Sequence, residues 1–188
     1  MNKGKTNNSH AQIKALLRME FAEHGDRVLD VFHGNGLLWD TVKNSVDVMV
    51  SGLDKEQYTI GFSLLGDSAK TIPNIEVDSF DIIDFDAYGD PSPYIDLVSR
   101  MIATEKKVFF TFIQSMYGGL SIECLAASGI SQNMKKTAPA LCCRNGFNRF
   151  KRYLSTLGVL EVVSINYHRK HYGFFTLPPM KVGQNRHA

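Results

Sequence analysis

The chain has little of what small scaffolds rely on. Its 188 residues include three cysteines, and two of these, Cys142 and Cys143, are adjacent. Neither a disulfide framework nor a zinc site can be assembled from them. The six histidines show no ligand spacing, so no metal is expected. No run approaches the roughly 18 consecutive apolar residues of a membrane span. Met1 to His10 lack the apolar core of a signal peptide. A secreted mini-protein, a membrane protein and a zinc finger are disfavoured, and the reducing cytoplasm is the expected compartment. The remaining composition is ordinary, with 44% hydrophobic and 21% charged residues. That suits one domain with a sizeable core, expected over residues 10–180 between disordered ends at 1–9 and 181–188.

Charge of one sign is nearly absent from the last third. Residues 1–134 hold 11 Lys or Arg against 18 Asp or Glu, a net of −7. Residues 135–188 hold 10 against a single acid, Glu161, a net of +9. Lys135, Lys136, Arg149, Lys151, Arg152, Arg169 and Lys170 are interleaved there with Phe147, Phe150, Tyr153, Tyr167 and Tyr172. A basic surface with interleaved aromatics suits a nucleic acid, and these seven side chains are the candidates to bind it. The other reading pairs them with the acidic part of the same domain.

Apolar spacing predicts a helix over 10–24, then a strand over 27–32 that runs into His33-Gly34-Asn35-Gly36 and a helix near 37–43. Further strands are expected over 46–53, 58–65, 79–85 and 107–113, with a helix over about 93–104. Only Asp54 to Gln57 separate the second and third strands, too few for a crossover helix. Residues 114–145 read as looser, with one short helix near 121–127. A basic helix over 146–157 precedes strands over 159–167 and 171–177, joined as a hairpin through His168-Arg169-Lys170. Alternation of strand and helix argues an α/β fold: a mostly parallel sheet with helices on both faces and an antiparallel C-terminal hairpin strand. Ligands bind such sheets beyond the carboxyl ends of the strands.

The informative residues fall at those ends. Asp30 is followed by the glycine turn Gly34-Asn35-Gly36, which lets backbone approach a ligand. Asp54 closes the second strand and either accepts both hydroxyls of a ribose or stands as a helix cap or solvated loop acid. Asp67 and Ser68 follow the third strand, where Asp67 either accepts from a purine amine or caps the next helical turn. Trp39 and Phe32 read as core, and Cys142 and Cys143 as buried thiols. Gln114, Ser115 and Tyr117 to Gly119 either face an acceptor or form a turn.

The Asp30-x-x-x-Gly34-x-Gly36 run, with Asp54 and Asp67, resembles the class I S-adenosylmethionine-dependent methyltransferases, which implies their Rossmann-like sheet. The resemblance implies that Asp30, Phe32, His33, Gly34, Asn35 and Gly36 wrap the methionine part of S-adenosylmethionine. It implies that Asp54 and Lys55 hold the ribose, and that Asp67 and Ser68 border the adenine. Asp86-Ala-Tyr88-Gly-Asp-Pro91 is similar to the Asp-Pro-Pro-Tyr motif of nucleic-acid amino methyltransferases. It is closer to the Asp-Pro-Phe/Tyr-Gly-Ser-Pro run of tRNA guanine-N2 methyltransferases, with Ala87 for the first proline and Asp90 for the serine. Asp86 and Tyr88 would then be catalytic. A carboxylate accepting an amine N–H raises electron density on a conjugated nitrogen, and an aromatic ring stacks the flipped base. Tyr88-Gly89 and Pro91 favour tRNA guanine over DNA adenine. The alternative is a non-catalytic nucleic-acid-binding module on a degenerate methyltransferase fold. A nicotinamide enzyme is disfavoured by the glycine spacing and by the lack of a His–Asp proton-transfer set.

Overall fold

The computed structural model describes residues 10–56, 63–113, 119–142 and 144–179. The expected disordered ends and Gln114, Ser115, Tyr117, Gly118 and Cys143 lie outside the described residues, as does most of the expected third strand. Elements in chain order are α1 (Ala11–Phe21), β1 (Arg27–Asp30), α2 (Leu37–Lys43), β2 (Met49–Asp54), β3 (Ser63–Leu65) and α3 (Ser68–Thr71). There follow β4 (Ile82–Phe85), α4 (Ser92–Ser99), β5 (Lys106–Ile113), α5 (Ile122–Ala126), α6 (Gln132–Thr137) and α7 (Pro139–Cys142). The chain closes with α8 (Gly146–Thr156), β6 (Val163–Tyr167) and β7 (Lys170–Leu177).

The strands form one sheet in the order β3-β2-β1-β4-β5-β7-β6. The first five are parallel, while β7 inserts antiparallel between β5 and β6. Strand order reverses between β1 and β4, so the ligand crevice of this topology lies beyond Asp30 and Phe85. Alternation along each strand divides two cores. Leu29, Ile83, Phe110 and Phe175 pack under α4 and α8, while Val28, Ile82, Phe109 and Tyr172 pack under α1 and α2. No helix among the described residues is long and apolar enough to cross a membrane.

Several boundaries differ from expectation for physical reasons. β1 stops at Asp30, whose carboxylate accepts the Phe32 N–H and pulls the chain into a turn. β4 starts at Ile82 because a 3-10 turn over Val77–Ser79 uses the preceding residues. The loose stretch after residue 119 contains three short helices: Ser121 and Ser131 accept from the N–H groups of Cys124 and Met134 and so start α5 and α6. β2 and β3 are parallel neighbours joined by residues 55–62 alone, fewer than the dozen a crossover usually takes.

One polar contact inside the second core fixes where α1 lies. Asp84 is fully buried on β4, and Arg18 of α1 binds it through Nε and Nη2, both at 2.7 Å. Trp39 of α2 donates its indole N–H to the same carboxylate at 2.8 Å. Burial works against the Arg18 charge, but the neighbouring Asp84 outweighs it and keeps the guanidinium charged. Arg18→Met would leave a buried carboxylate with only one donor and is expected to cost about 3–5 kcal/mol in urea unfolding. Adding Asp84→Leu is expected to recover only part of this, because the Trp39 N–H then loses its acceptor.

Candidate functional site

The glycine turn is held from below and from the side. Gly34 and Gly36 have φ of 56° and 74°, a backbone region that favours glycine. The Gly34 N–H donates to Asp54 Oδ2 at 2.8 Å, so the second acid sits against the turn. Asp54 Oδ1 accepts the Glu56 N–H at 3.0 Å. A carboxylate offers about four lone-pair directions. Among the described residues two are taken, one on each oxygen, which leaves each oxygen a direction for a diol. Asn35 accepts the Leu37 N–H at the start of α2, and Lys55 is exposed beyond Asp54.

His33 departs from the expected role. Its ring is turned into the protein, where Nδ1 meets Asp30 Oδ2 at 3.1 Å. The ring lies over Gly52 of β2 and Gly36, where a Cβ on either glycine would collide with it. Only the His33 backbone is left to meet a ligand. Burial pushes the Asp30 carboxyl up to about 6, against the hydrogen bond from His33. That same bond raises the imidazole above its ordinary range, against the effect of burial.

The far side of the crevice is similarly committed. The Ser68 hydroxyl points inward to the Val31 carbonyl at 3.0 Å, and Asp67 accepts the Lys70 N–H as the cap of α3. Capping, the plainer of the two sequence readings for Asp67, is what the geometry displays. Phe32 meets Tyr94 of α4 edge-on at 4.9 Å. Burial, and then the charge of Asp67, raise the Tyr94 hydroxyl pKa.

Beyond β4 the loop from Asp86 to Pro91 is tied at both ends. Lys14 of α1 donates to both Asp86 oxygens at 2.7 Å, and the Thr111 hydroxyl donates to Oδ1. Burial would raise the Asp86 pKa, but Lys14, Arg18 and these hydrogen bonds hold it below the ordinary carboxylate value. Asp90 accepts N–H groups from Ser92 and Ser121, both at 2.9 Å, which gives this acid a role in fixing the loop to α4 and α5. The Ile113 N–H donates to the Gly89 carbonyl at 2.8 Å. Between these anchors Tyr88 stands 87% exposed at the carboxyl edge of the sheet.

Lys14, Arg18, Thr111 and Tyr94 were not singled out in the sequence. The available signal was the pair Asp84 and Asp86, alternate acids entering a buried strand. Such acids require cations, and Lys14 and Arg18 sit four residues apart on the apolar side of the first helix.

The basic candidates lie on the β5–β7–α8 side. Lys170 pairs with Ile113, so the hairpin tip stands at the same edge as the strand-end acids. Phe147 stacks on His171 at 3.7 Å, and Lys151 Nζ lies 5.6 Å from the Phe147 ring centre. Lys136, Lys151, Arg152 and Arg169 are exposed. Lys135 Nζ donates to the Leu120 carbonyl and Arg149 Nε to the Arg144 carbonyl, so these two are partly engaged within the fold. Cys142 is buried, and no group of His, Cys, Asp and Glu among the described residues could hold a metal ion.

No protein-family model and no curated protein matches the chain. Solved structures do. Precorrin-6y C5,15-methyltransferase of Geobacter metallireducens GS-15 aligns over 96% of this chain and 92% of its own, with 13% identity and a TM-score of 0.53. TYW2 of P. horikoshii, solved in complex with MeSAdo, aligns over 90% of this chain and 62% of its own, with 16% identity and a TM-score of 0.53. A candidate hemolysin of Lactococcus lactis aligns over 93% and 88%, with 10% identity and a TM-score of 0.59. The fold is that of the class I S-adenosylmethionine-dependent methyltransferases, the Rossmann-like sheet expected from the sequence.

The Asp30–His33 pair gives a pH prediction. Both groups are raised, so the folded state holds their protons more tightly than the unfolded chain does, and the stability they supply is lost as pH rises through about 6 and beyond. In a proton NMR titration the His33 midpoint is expected above the ordinary histidine value. Asp30→Asn removes the largest raising cause and leaves burial, so the midpoint is expected to fall below that value.

Proposed function

We propose that the chain is an S-adenosylmethionine-dependent methyltransferase acting on an amino nitrogen of a nucleic-acid base, with tRNA guanine as the preferred acceptor. The observation that carries this reading is the Gly34–Asp54 hydrogen bond beside the strand-order reversal, one strand from Asp86 and Tyr88. Positive-φ backbone and an acid that, among the described residues, accepts one N–H on each oxygen suit an aminoacyl nucleoside. The Phe32 and Tyr94 rings meet edge-on beside the glycine turn, and Asp67 is close enough to act on the Tyr94 hydroxyl. The fold shared with known methyltransferases supports the choice of cofactor.

Bound there, S-adenosylmethionine supplies a methyl group already activated by its sulfonium. The remaining task of the protein is positioning. Exposed Tyr88, on a loop anchored at both ends, offers a flat face for a flipped base. Among the described residues Asp86 has three of its four lone-pair directions taken by Lys14 and Thr111, and its side chain is 15% exposed. It can therefore accept a single N–H from the acceptor. The exposed cations Lys136, Lys151, Arg152 and Arg169, with half-buried Lys170, supply the backbone contacts of a polyanion. Partial neutralisation of Asp86 by Lys14 also favours the second reading, a module of this fold that binds nucleic acid without transferring a methyl group.

Isothermal titration with S-adenosylmethionine is expected to show micromolar binding that Asp54→Ala abolishes. Absence of binding to the wild-type protein overturns both the cofactor and the enzyme reading. With labelled S-adenosylmethionine and bulk tRNA, methyl incorporation is expected, falling roughly 100-fold or more in Asp86→Asn. Salt-dependent tRNA binding without incorporation selects the binding module instead.

A further inference from the structure

Lys14 is a buried cation to which methyl transfer by itself assigns no step. A lysine is almost never buried unless it is paired, and this one spends its ammonium on both oxygens of Asp86, at 2.7 Å each. Its place is held from several directions. Arg18 Nη1 donates to the Lys14 carbonyl at 2.9 Å, while Nε and Nη2 of the same guanidinium are committed to Asp84. The Lys14 N–H donates to the His10 carbonyl at 3.1 Å, and His10 Nδ1 meets the Tyr172 hydroxyl at 3.1 Å. The Tyr172 ring of β7, itself buried, lies 5.3 Å from the Lys14 ammonium.

This placement decides what Asp86 can do. Burial favours the neutral acid, but Lys14 first and then Arg18 outweigh it and keep the group ionised. A protonated Asp86 would become a donor and could no longer accept an amine N–H on that oxygen. Two bonds from one ammonium and a third from the Thr111 hydroxyl of β5 also fix the plane of the carboxylate. The charges close on themselves. Lys14 and Arg18 of α1 face Asp84 and Asp86 of the β4 segment, Thr111 and Tyr172 are neutral, and Asp30, which acts on Arg18, is paired with His33. An alkylammonium acceptor would bring a further cation beside a sulfonium, with no unpaired anion in this cluster to receive it. A carboxylate held this low is also too weak a base to take its proton. A conjugated amine is uncharged near neutral pH and needs only one N–H accepted. Its lone pair forms the new N–C bond as the C–S pair withdraws onto sulfur, and the resulting aminium is acidic enough to lose its proton to water.

We infer that Lys14 is a positioning and specificity-determining residue: by clamping Asp86 it makes the carboxylate a fixed acceptor of one N–H and restricts the methyl acceptor to an uncharged, conjugated amine. The inference rests on the methyltransferase reading. Lys14 acts through Asp86 and touches neither cofactor nor acceptor. The ion pair thereby completes the site rather than silencing it.

Lys14→Gln keeps an N–H donor and removes the charge, whereas Lys14→Arg keeps the charge. Both are expected to retain the circular dichroism and the calorimetric S-adenosylmethionine affinity of the wild type. With labelled S-adenosylmethionine and bulk tRNA, wild-type kcat is expected to be flat from about pH 6 to 9, since neither Asp86 nor a conjugated amine titrates there. In Lys14→Gln, kcat is expected to fall roughly tenfold or more at neutral pH, and further as the pH is lowered and Asp86 takes up a proton. Lys14→Arg is expected to restore the flat profile. The Asp86 ¹³Cγ resonance, assigned by its loss in Asp86→Asn, is expected to titrate below the ordinary aspartate value in the wild type and higher in Lys14→Gln. A wild-type rate that climbs roughly tenfold per pH unit, as an alkylammonium acceptor requires, overturns the inference. So does a wild-type Asp86 midpoint at or above the ordinary value, a result that depends on no variant folding. A folded Lys14→Gln whose profile and Asp86 midpoint both match the wild type overturns the inference alone and leaves the enzyme reading standing. A wild-type protein that transfers no methyl group overturns that reading and the inference with it.

Discussion

A carboxylate with no access to water, Asp84 in the middle of the sheet, governs how this molecule is assembled. It is tolerable only because Arg18 and Trp39 reach it from two different helices. That requirement fixes the rotation of α1, and the rotation delivers Lys14, one turn earlier, to Asp86 at the mouth of the crevice. The charges that pin the helix and the charges at the candidate site are therefore one cluster. A change at Arg18 is felt at Asp86 through both geometry and Coulomb interaction, as the influence of Arg18 on the Asp86 carboxyl indicates.

The same economy holds around the glycine turn. The absence of a side chain at Gly52 makes room for His33, whose ring then reaches Asp30. The turn is thus buttressed by an imidazole from behind and by Asp54 from the side, and its remaining surface is backbone. Opposite it, the Asp86–Pro91 loop is immobilised by Lys14, Thr111, Ser92 and Ser121, so a large exposed ring is presented on a firm support. Pre-organisation of this kind suits a reaction in which orientation supplies most of the gain.

Much of this was legible in the sequence because it is local. The glycines, the acids that end strands and the alternating apolar runs each depend on a few neighbours, and they located the sheet, the crevice and the terminal hairpin. What was not legible is long-range. Lys14 and Arg18 flank the apolar stripe of their helix, but nothing in that segment shows what they pair with until acids 72 and 66 positions later are brought beneath them. Helix α6 buries no residue, so no apolar period announced it, and only the Ser131 cap marks its start. His33 could not be turned inward on paper, since nothing in its own segment reveals the vacancy at Gly52 one strand away.

The position of β7 bears on the birth of the protein at the ribosome. The last strand among the described residues is an interior member of the sheet, paired with β5 along all eight residues from Lys106 to Ile113. Until residues 170–177 emerge, that flank of β5, with Val108, Phe109, Phe110 and Phe112 beside it, has no partner. A nascent chain stalled before that point exposes a long aromatic edge competent to pair with any other, and the emergence of β7 is what closes it.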